Sequence, residues 1–172
     1  MKIRIFPVIL AIIAIGFTVA IVVARTNEPE QTPRPGSEQS DNGNEHVNEK
    51  EYGGDEPPTS GPHASPIAWG LYETEVRDDQ VIHNMEHGGI YVSYNPELPQ
   101  DQVDKLAALL FEPYSNPNFK PKKVILAPRA ANTSPIILSS WLRSEKLQAF
   151  DQAKIEQYVI KNTGKSPEPL AN

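Results

Sequence analysis

One uncharged run of twenty residues, Ile5 to Ala24, takes the start of this chain out of any globular core. It is rich in Ile, Val and Ala, and at 1.5 Å per residue it would make about 30 Å of helix, the thickness of a bilayer's hydrocarbon layer. Pro7 falls near the start of that helix, where a missing N–H costs little. Lys2 and Arg4 precede the run and only Arg25 follows closely, so the positive-inside bias predicts a cytoplasmic N-terminus. The expectation is a transmembrane signal anchor over residues 1–25, and hence a single-pass protein of the cell membrane with its C-terminal domain extracytoplasmic. A cleavable signal peptide is the alternative, with Val22-Val23-Ala24 as a small-residue cleavage site.

Composition narrows the chemistry open to the rest of the chain. With no cysteine, disulfides, thiolate catalysis, Cys-type zinc sites and a lipidated cysteine are all excluded. The net charge of −6 is unevenly spread: residues 26–56 hold nine acids against Arg34 and Lys50, while residues 57–172 hold thirteen acids against eleven bases. Neither stretch has the clustered basic face of a nucleic-acid binder, so no nucleic acid is expected as a partner. Residues 26–54 are rich in Pro, Glu, Gln, Asn, Gly and Ser and poor in large apolar side chains. Such a segment cannot bury enough surface to offset the entropy of ordering, and it reads as a disordered acidic tether. His46 falls inside it and reads as solvent-exposed and incidental.

The remaining segment, residues 55–170, is long enough for one core. Pro57 to Pro66 is too proline-rich for a helix or a central strand. Trp69, Leu71 and Tyr72 give a short apolar segment. Asp78 or Asp79 caps a helix through Gln80 to His87, with Val81, Ile82 and Met85 on its buried side and Gly88 at its stop. Ile90 to Tyr94 alternates as a strand. Val103, Leu106, Ala107 and Leu110 recur at helical spacing between Pro99 and Glu112. Val124 to Ala127 and Ile136 to Trp141 read as strands antiparallel to each other, and Lys120, Lys122 and Lys123 as a solvated strand entry. Asp151 caps a final helix with Ile155, Tyr158 and Val159 on one face. The expected fold is α+β: a small single domain with a strand–helix–strand–strand–helix core, helices packed on a mixed or antiparallel sheet, preceded by one transmembrane helix.

The chemistry concentrates in two blocks, Pro57-Pro58-Thr59-Ser60-Gly61-Pro62-His63 and His83-Asn84-Met85-Glu86-His87-Gly88-Gly89. On a helix His83 and His87 lie four apart on one face, a spacing that grips a metal ion. Met85 then points about 200° away and belongs to the core. An irregular backbone would instead make His83-x-Met85-x-His87 a soft site suited to copper. The letters also match the inverted-zincin pattern, in which a glutamate acts as general base. The bland reading is that both histidines simply complement the helix C-terminus. Thr59 and Ser60 read as loop hydroxyls, with no base or oxyanion donor placed beside them.

Taken together, the two blocks, the apolar run and the acidic stretch resemble a family of bacterial membrane-anchored domains of unknown function, marked by a PPTSGPH block and an HNxEHG block. The resemblance spans about residues 52–170 and includes the Val124 to Pro128 and Ile136 to Trp141 strands and the Gly164 to Pro169 segment. It implies that Pro58, Ser60, Gly61, His63, His83, Glu86, His87 and Gly88 are motif positions. It supplies no reaction. The pattern would carry a glycine where this chain has Leu142, which bears on the turn after the third strand.

The functional expectation is a transition-metal site, copper or zinc, ligated by His63, His83 and His87, with Glu86 as fourth ligand or as the acceptor that fixes an imidazole tautomer. Binding, delivery or sensing is favoured over turnover, and no catalytic residue is assigned. Two alternatives stand beside it: a cell-envelope interaction module with structural histidines and an envelope protein as partner, and a metal-dependent hydrolase using the HxxEH-like motif. Everything turns on whether His63 approaches the His83/His87 pair.

Overall fold

The computed structural model describes residues 33–171, and Arg34 onward forms one compact unit. Its spine is a six-stranded mixed sheet. The elements run β1 (Ser37–Glu38), β2 (Gly70–Leu71), α1 (Asp78–Glu86), β3 (Ile90–Tyr94), α2 (Gln100–Leu110), β4 (Val124–Pro128), β5 (Ile136–Ser140), β6 (Arg143–Leu147) and α3 (Gln152–Asn162). Across the sheet the order is β1-β6-β5-β3-β4-β2. β3 runs parallel to β4, which is parallel to β2; the pairs β3–β5, β5–β6 and β6–β1 are antiparallel.

Helices cover both faces. On one, α2 contributes Val103, Leu106, Leu109 and Leu110, and α3 contributes Ile155, Tyr158 and Val159, packed on Ile90, Val92, Val124, Leu126, Ile136 and Leu138. On the other, Val81, Ile82 and Met85 of α1 meet Tyr91, Ile125, Ala127 and Trp141. β4 is therefore buried along its whole length. That is why Val124 to Ala127 reads as a continuous apolar run and not as an alternation.

The expected five-element core is corrected on three counts. It lacks β1, β2 and β6: the first two are only two residues long, and β6 (Arg-Ser-Glu-Lys-Leu) buries only Ser144 and Leu147. α1, expected as a helix through Gln80 to His87 but left out of that core, packs as a third helix on the opposite face of the sheet. β5 runs opposite to β4, as expected, but pairs with β3 and not with β4: the β3–α2–β4 crossover sets β3 and β4 parallel, and β3 lies between β4 and β5.

The anchor expected over residues 1–25 lies outside the described residues. The described helices are 9 to 11 residues long, against about 20 for a span. No helix among the described residues is long and apolar enough to cross a membrane. Within the described residues this corrects the single-pass, extracytoplasmic placement and the membrane partner expected from sequence, since none of their helices carries them.

The tether expectation is also corrected from Arg34 on. Arg34 Nε donates to Asn162 Oδ1 at 3.0 Å, and β1 pairs with β6. Further along, Gly61 N donates to Gly43 O at 2.7 Å, His63 N to Glu45 O at 2.8 Å and Val47 N to His63 O at 2.9 Å. The segment is held by backbone and polar side-chain hydrogen bonds and buries none of its own side chains, so counting apolar residues does not reveal it.

Candidate metal centre

α1 presents the site. Asp78 and Asp79 stand in its first turn but do not cap it; the N-cap is Arg77, with no side-chain cap bond. Asp78 instead pairs with Arg129, and Asp79 accepts from Arg77 and from Lys50 N. At the other end Gly88 N donates to Met85 O at 2.9 Å, with Gly88 at φ 83°. This left-handed residue stops the helix as expected. A Cβ there would also lie 2.8 Å from Gly164 Cα. The 57–67 loop is clamped onto α1 by Asn84, whose amide donates to Ile67 O at 2.9 Å and accepts from Ile67 N at 3.1 Å.

That clamp brings the two sequence blocks together. His63 is wholly buried, with Nδ1 2.8 Å from Gly61 O and Nε2 3.0 Å from Glu86 Oε2. His83 places Nδ1 2.9 Å from Ala64 O and Nε2 3.1 Å from His87 Nε2. Carbonyl oxygens only accept, so Nδ1 carries a proton in both rings, and Nε2 is the atom whose lone pair either ring can offer to a metal. A backbone carbonyl on one ring nitrogen and a lone pair on the other is the arrangement found around metal-bound histidines.

Glu86 is buried between them. Asn44 Nδ2 donates to its Oε1 at 2.8 Å, and His63 and His46 approach Oε2 at 3.0 and 3.3 Å. Burial pushes its carboxyl upward, but the Asn44 amide and the charges of His63 and His46 outweigh that and hold it below the usual glutamate range. Burial lowers the His83 imidazole below its ordinary value, helped by the neighbouring histidines. So Glu86 stays a carboxylate and His83 stays neutral, the forms that bind metal.

His46 completes the group. It lies on a β-bridge to His63, its ring stacks on His83 with centroids 4.9 Å apart, and its side chain is 57% exposed. His46, His63, His83 and Glu86 each offer one ligand atom, and these atoms lie within 4.8 Å of one another, a group that could hold a metal ion. His87 falls outside that set. Its Nε2 touches His83 and lies 3.7 Å from Glu168 Oε2.

Sequence reasoning misses His46, Asn44 and Glu168. His46 carries no periodic or block signal, since only its backbone pairing with His63 brings it in. The other motif positions shape the loop. Ser60 Oγ accepts from Asn42 N at 2.9 Å and lies 3.2 Å from Ser40 O. Gly61 sits at φ 130°, where a Cβ would meet the Tyr52 hydroxyl. Pro58 is half-buried in the same loop. Met85 is in the core, as helical spacing predicts.

A family model described as "Protein of unknown function (DUF3105)" matches residues 46–172. The chain belongs to the DUF3105 family. No curated protein and no solved structure matches it. Within this DUF3105 chain, the matched segment begins at the histidine that closes the cluster.

Proposed function

We propose that this protein binds a divalent transition-metal ion, zinc or copper, through the Nε2 atoms of His46, His63 and His83 and a carboxylate oxygen of Glu86. The observation that carries this reading is the contact between His63 Nε2 and Glu86 Oε2 at 3.0 Å, made while His63 Nδ1 is committed to Gly61 O. Two acceptors at that distance need a proton or a cation between them. A proton would leave a buried imidazolium–carboxylate pair. That pair accounts for His63 and Glu86 but not for the lone pair of His83 and the ring of His46 arriving at the same place. Around a tetrahedral ion with bonds of about 2.0–2.2 Å, neighbouring ligand atoms stand about 3.3–3.6 Å apart. The separations from Glu86 Oε2 to His63 and His46 need little change to meet that.

The donor set also bears on the metal. Met85 packs in the core, so no thioether is offered, and a nitrogen–oxygen set suits Zn(II) or Cu(II) better than Cu(I). The hydrolase alternative fits less well. Both Glu86 oxygens are engaged and the side chain is fully buried, which suits a ligand more than a general base reaching a substrate. Binding, delivery or sensing is the role this arrangement favours.

The test is direct. The full chain is loaded with Zn(II), Cu(II) or Cu(I) against a competing chelator. Submicromolar binding of Zn(II) or Cu(II), weakened at least tenfold by His63→Ala and by His83→Ala, is expected. No binding tighter than micromolar, or affinity indifferent to both substitutions, overturns the reading.

A further inference from the structure

Resting on that reading, we propose that the centre becomes dinuclear at higher loading: with one ion bound His83 serves it beside His46, His63 and Glu86, and when a second transition-metal ion enters, the His83 Nε2 passes to that ion, held with His87 and Glu168. Two donors stand outside the four-residue group, His87 within coordination reach of its member His83 and Glu168 within reach of His87. His87 Nε2 lies 3.1 Å from His83 Nε2, and Glu168 Oε2 lies 3.7 Å from His87 Nε2. Both separations bracket the ligand–ligand edge of about 3.3–3.6 Å around a single ion. His83 Nδ1 is committed to Ala64 O, so its Nε2 is the one atom it can offer, and that atom faces His87.

The six donors divide evenly. Each ion receives two imidazoles and one carboxylate, leaving a coordination position for solvent or ligand. Glu168 is not a stray surface acid. The segment carrying it is fastened to the end of α1 by Glu168 N donating to Glu86 O at 3.1 Å and Gly164 N donating to Gly88 O at 2.8 Å. Lys123 Nζ binds three carbonyls of the same corner, His87 O, Pro169 O and Ala171 O, at 2.9, 3.2 and 2.6 Å. A surface His–Glu pair with one partner half-exposed contributes little to stability. It does not account for a corner built to hold a carboxylate beside His87, whereas a second ion does.

The experiment titrates the full chain with Zn(II) and counts bound zinc per chain after gel filtration, for wild type, Glu168→Gln and His87→Gln. Cu(II) loading is followed in parallel by electron paramagnetic resonance. The Glu168 side chain is 51% exposed, so its amide variant keeps the fold. Two zinc ions per wild-type chain, one in each variant, and a spin-coupled copper signal at two equivalents that Glu168→Gln abolishes are expected. One ion in all three proteins overturns the dinuclear proposal and leaves the single-ion reading standing. Two ions in both variants overturn it as well. No bound ion in any of them overturns both.

Discussion

Replacing His46 by alanine separates a ligand from a structural residue. In the metal-free protein the change should cost little. The ring is 57% exposed and its contact with Glu86 Oε2 is a long 3.3 Å, so a surface-type effect within about 0.5 kcal/mol is expected. In the presence of metal the arithmetic differs. An ion at 100 times its dissociation constant stabilises the fold by about 2.7 kcal/mol. If losing one imidazole weakens affinity about 100-fold, the same ion concentration equals the new dissociation constant, and the stabilisation falls to about 0.4 kcal/mol. The difference of about 2.3 kcal/mol corresponds to roughly 7–9 °C in Tm for a domain of this size. Differential scanning calorimetry of both proteins with and without Zn(II) reads it. The expected result is a shift under about 2 °C without metal and the larger gap with it. Equal Tm gains on adding zinc to wild type and His46→Ala would refute the reasoning.

The other perturbations act through different terms. His63→Ala should destabilise even the metal-free chain by about 2–4 kcal/mol in urea titration, because it strips Gly61 O of its imidazole partner and leaves Glu86 Oε2 with only the long contact to His46; a loss below about 0.5 kcal/mol would contradict the burial argument. Gly88→Ala should cost at least about 2 kcal/mol, combining the left-handed backbone with the 2.8 Å approach to Gly164 Cα, and an unchanged urea midpoint would count against it. The pH dependence rests on two depressed groups. His83 titrates lower in the fold than at its ordinary 6.5, so the unfolded chain takes up the proton first and stability falls as pH drops below about 6.5. Glu86, also depressed from its ordinary 4.5, is stabilising above that value and loses its contribution as pH falls through its lower folded value. Metal-free stability should therefore decline from about pH 7 toward about pH 4; a stability that rises over that interval would reverse the sign.

The elements legible in the sequence are those whose side chains carry the pattern. The 3.6-residue spacing of Val103, Leu106 and Leu110 is α2, and Asp151 caps α3 by accepting from Lys154 N. Met85 falls in the core because His83 and His87 occupy the other side of a real helix. Elements built from backbone pairing leave no such trace. β1, the bridge between His46 and His63, and the clamp of Gly43 on Gly61 use main-chain groups that every residue has. That is why the acidic, proline-rich stretch reads as a tether and His46 as incidental. The glycine missing at Leu142 has a physical counterpart: Leu142 is the one non-glycine at positive φ among the described residues, at 56°, in the two-residue connection between β5 and β6. The C-terminal approach to His87 is equally silent, since Lys123 reads as a strand-entry charge and in the fold gathers three carbonyls.

The central claim is a position in space, and a crystal of the chain soaked with one equivalent of Zn(II) and measured at the zinc absorption edge tests it. The account predicts an anomalous peak about 2.0–2.2 Å from His63 Nε2 and from a Glu86 oxygen. A saturated crystal whose zinc lies elsewhere on the molecule, with His63 Nε2 still against Glu86, would contradict it.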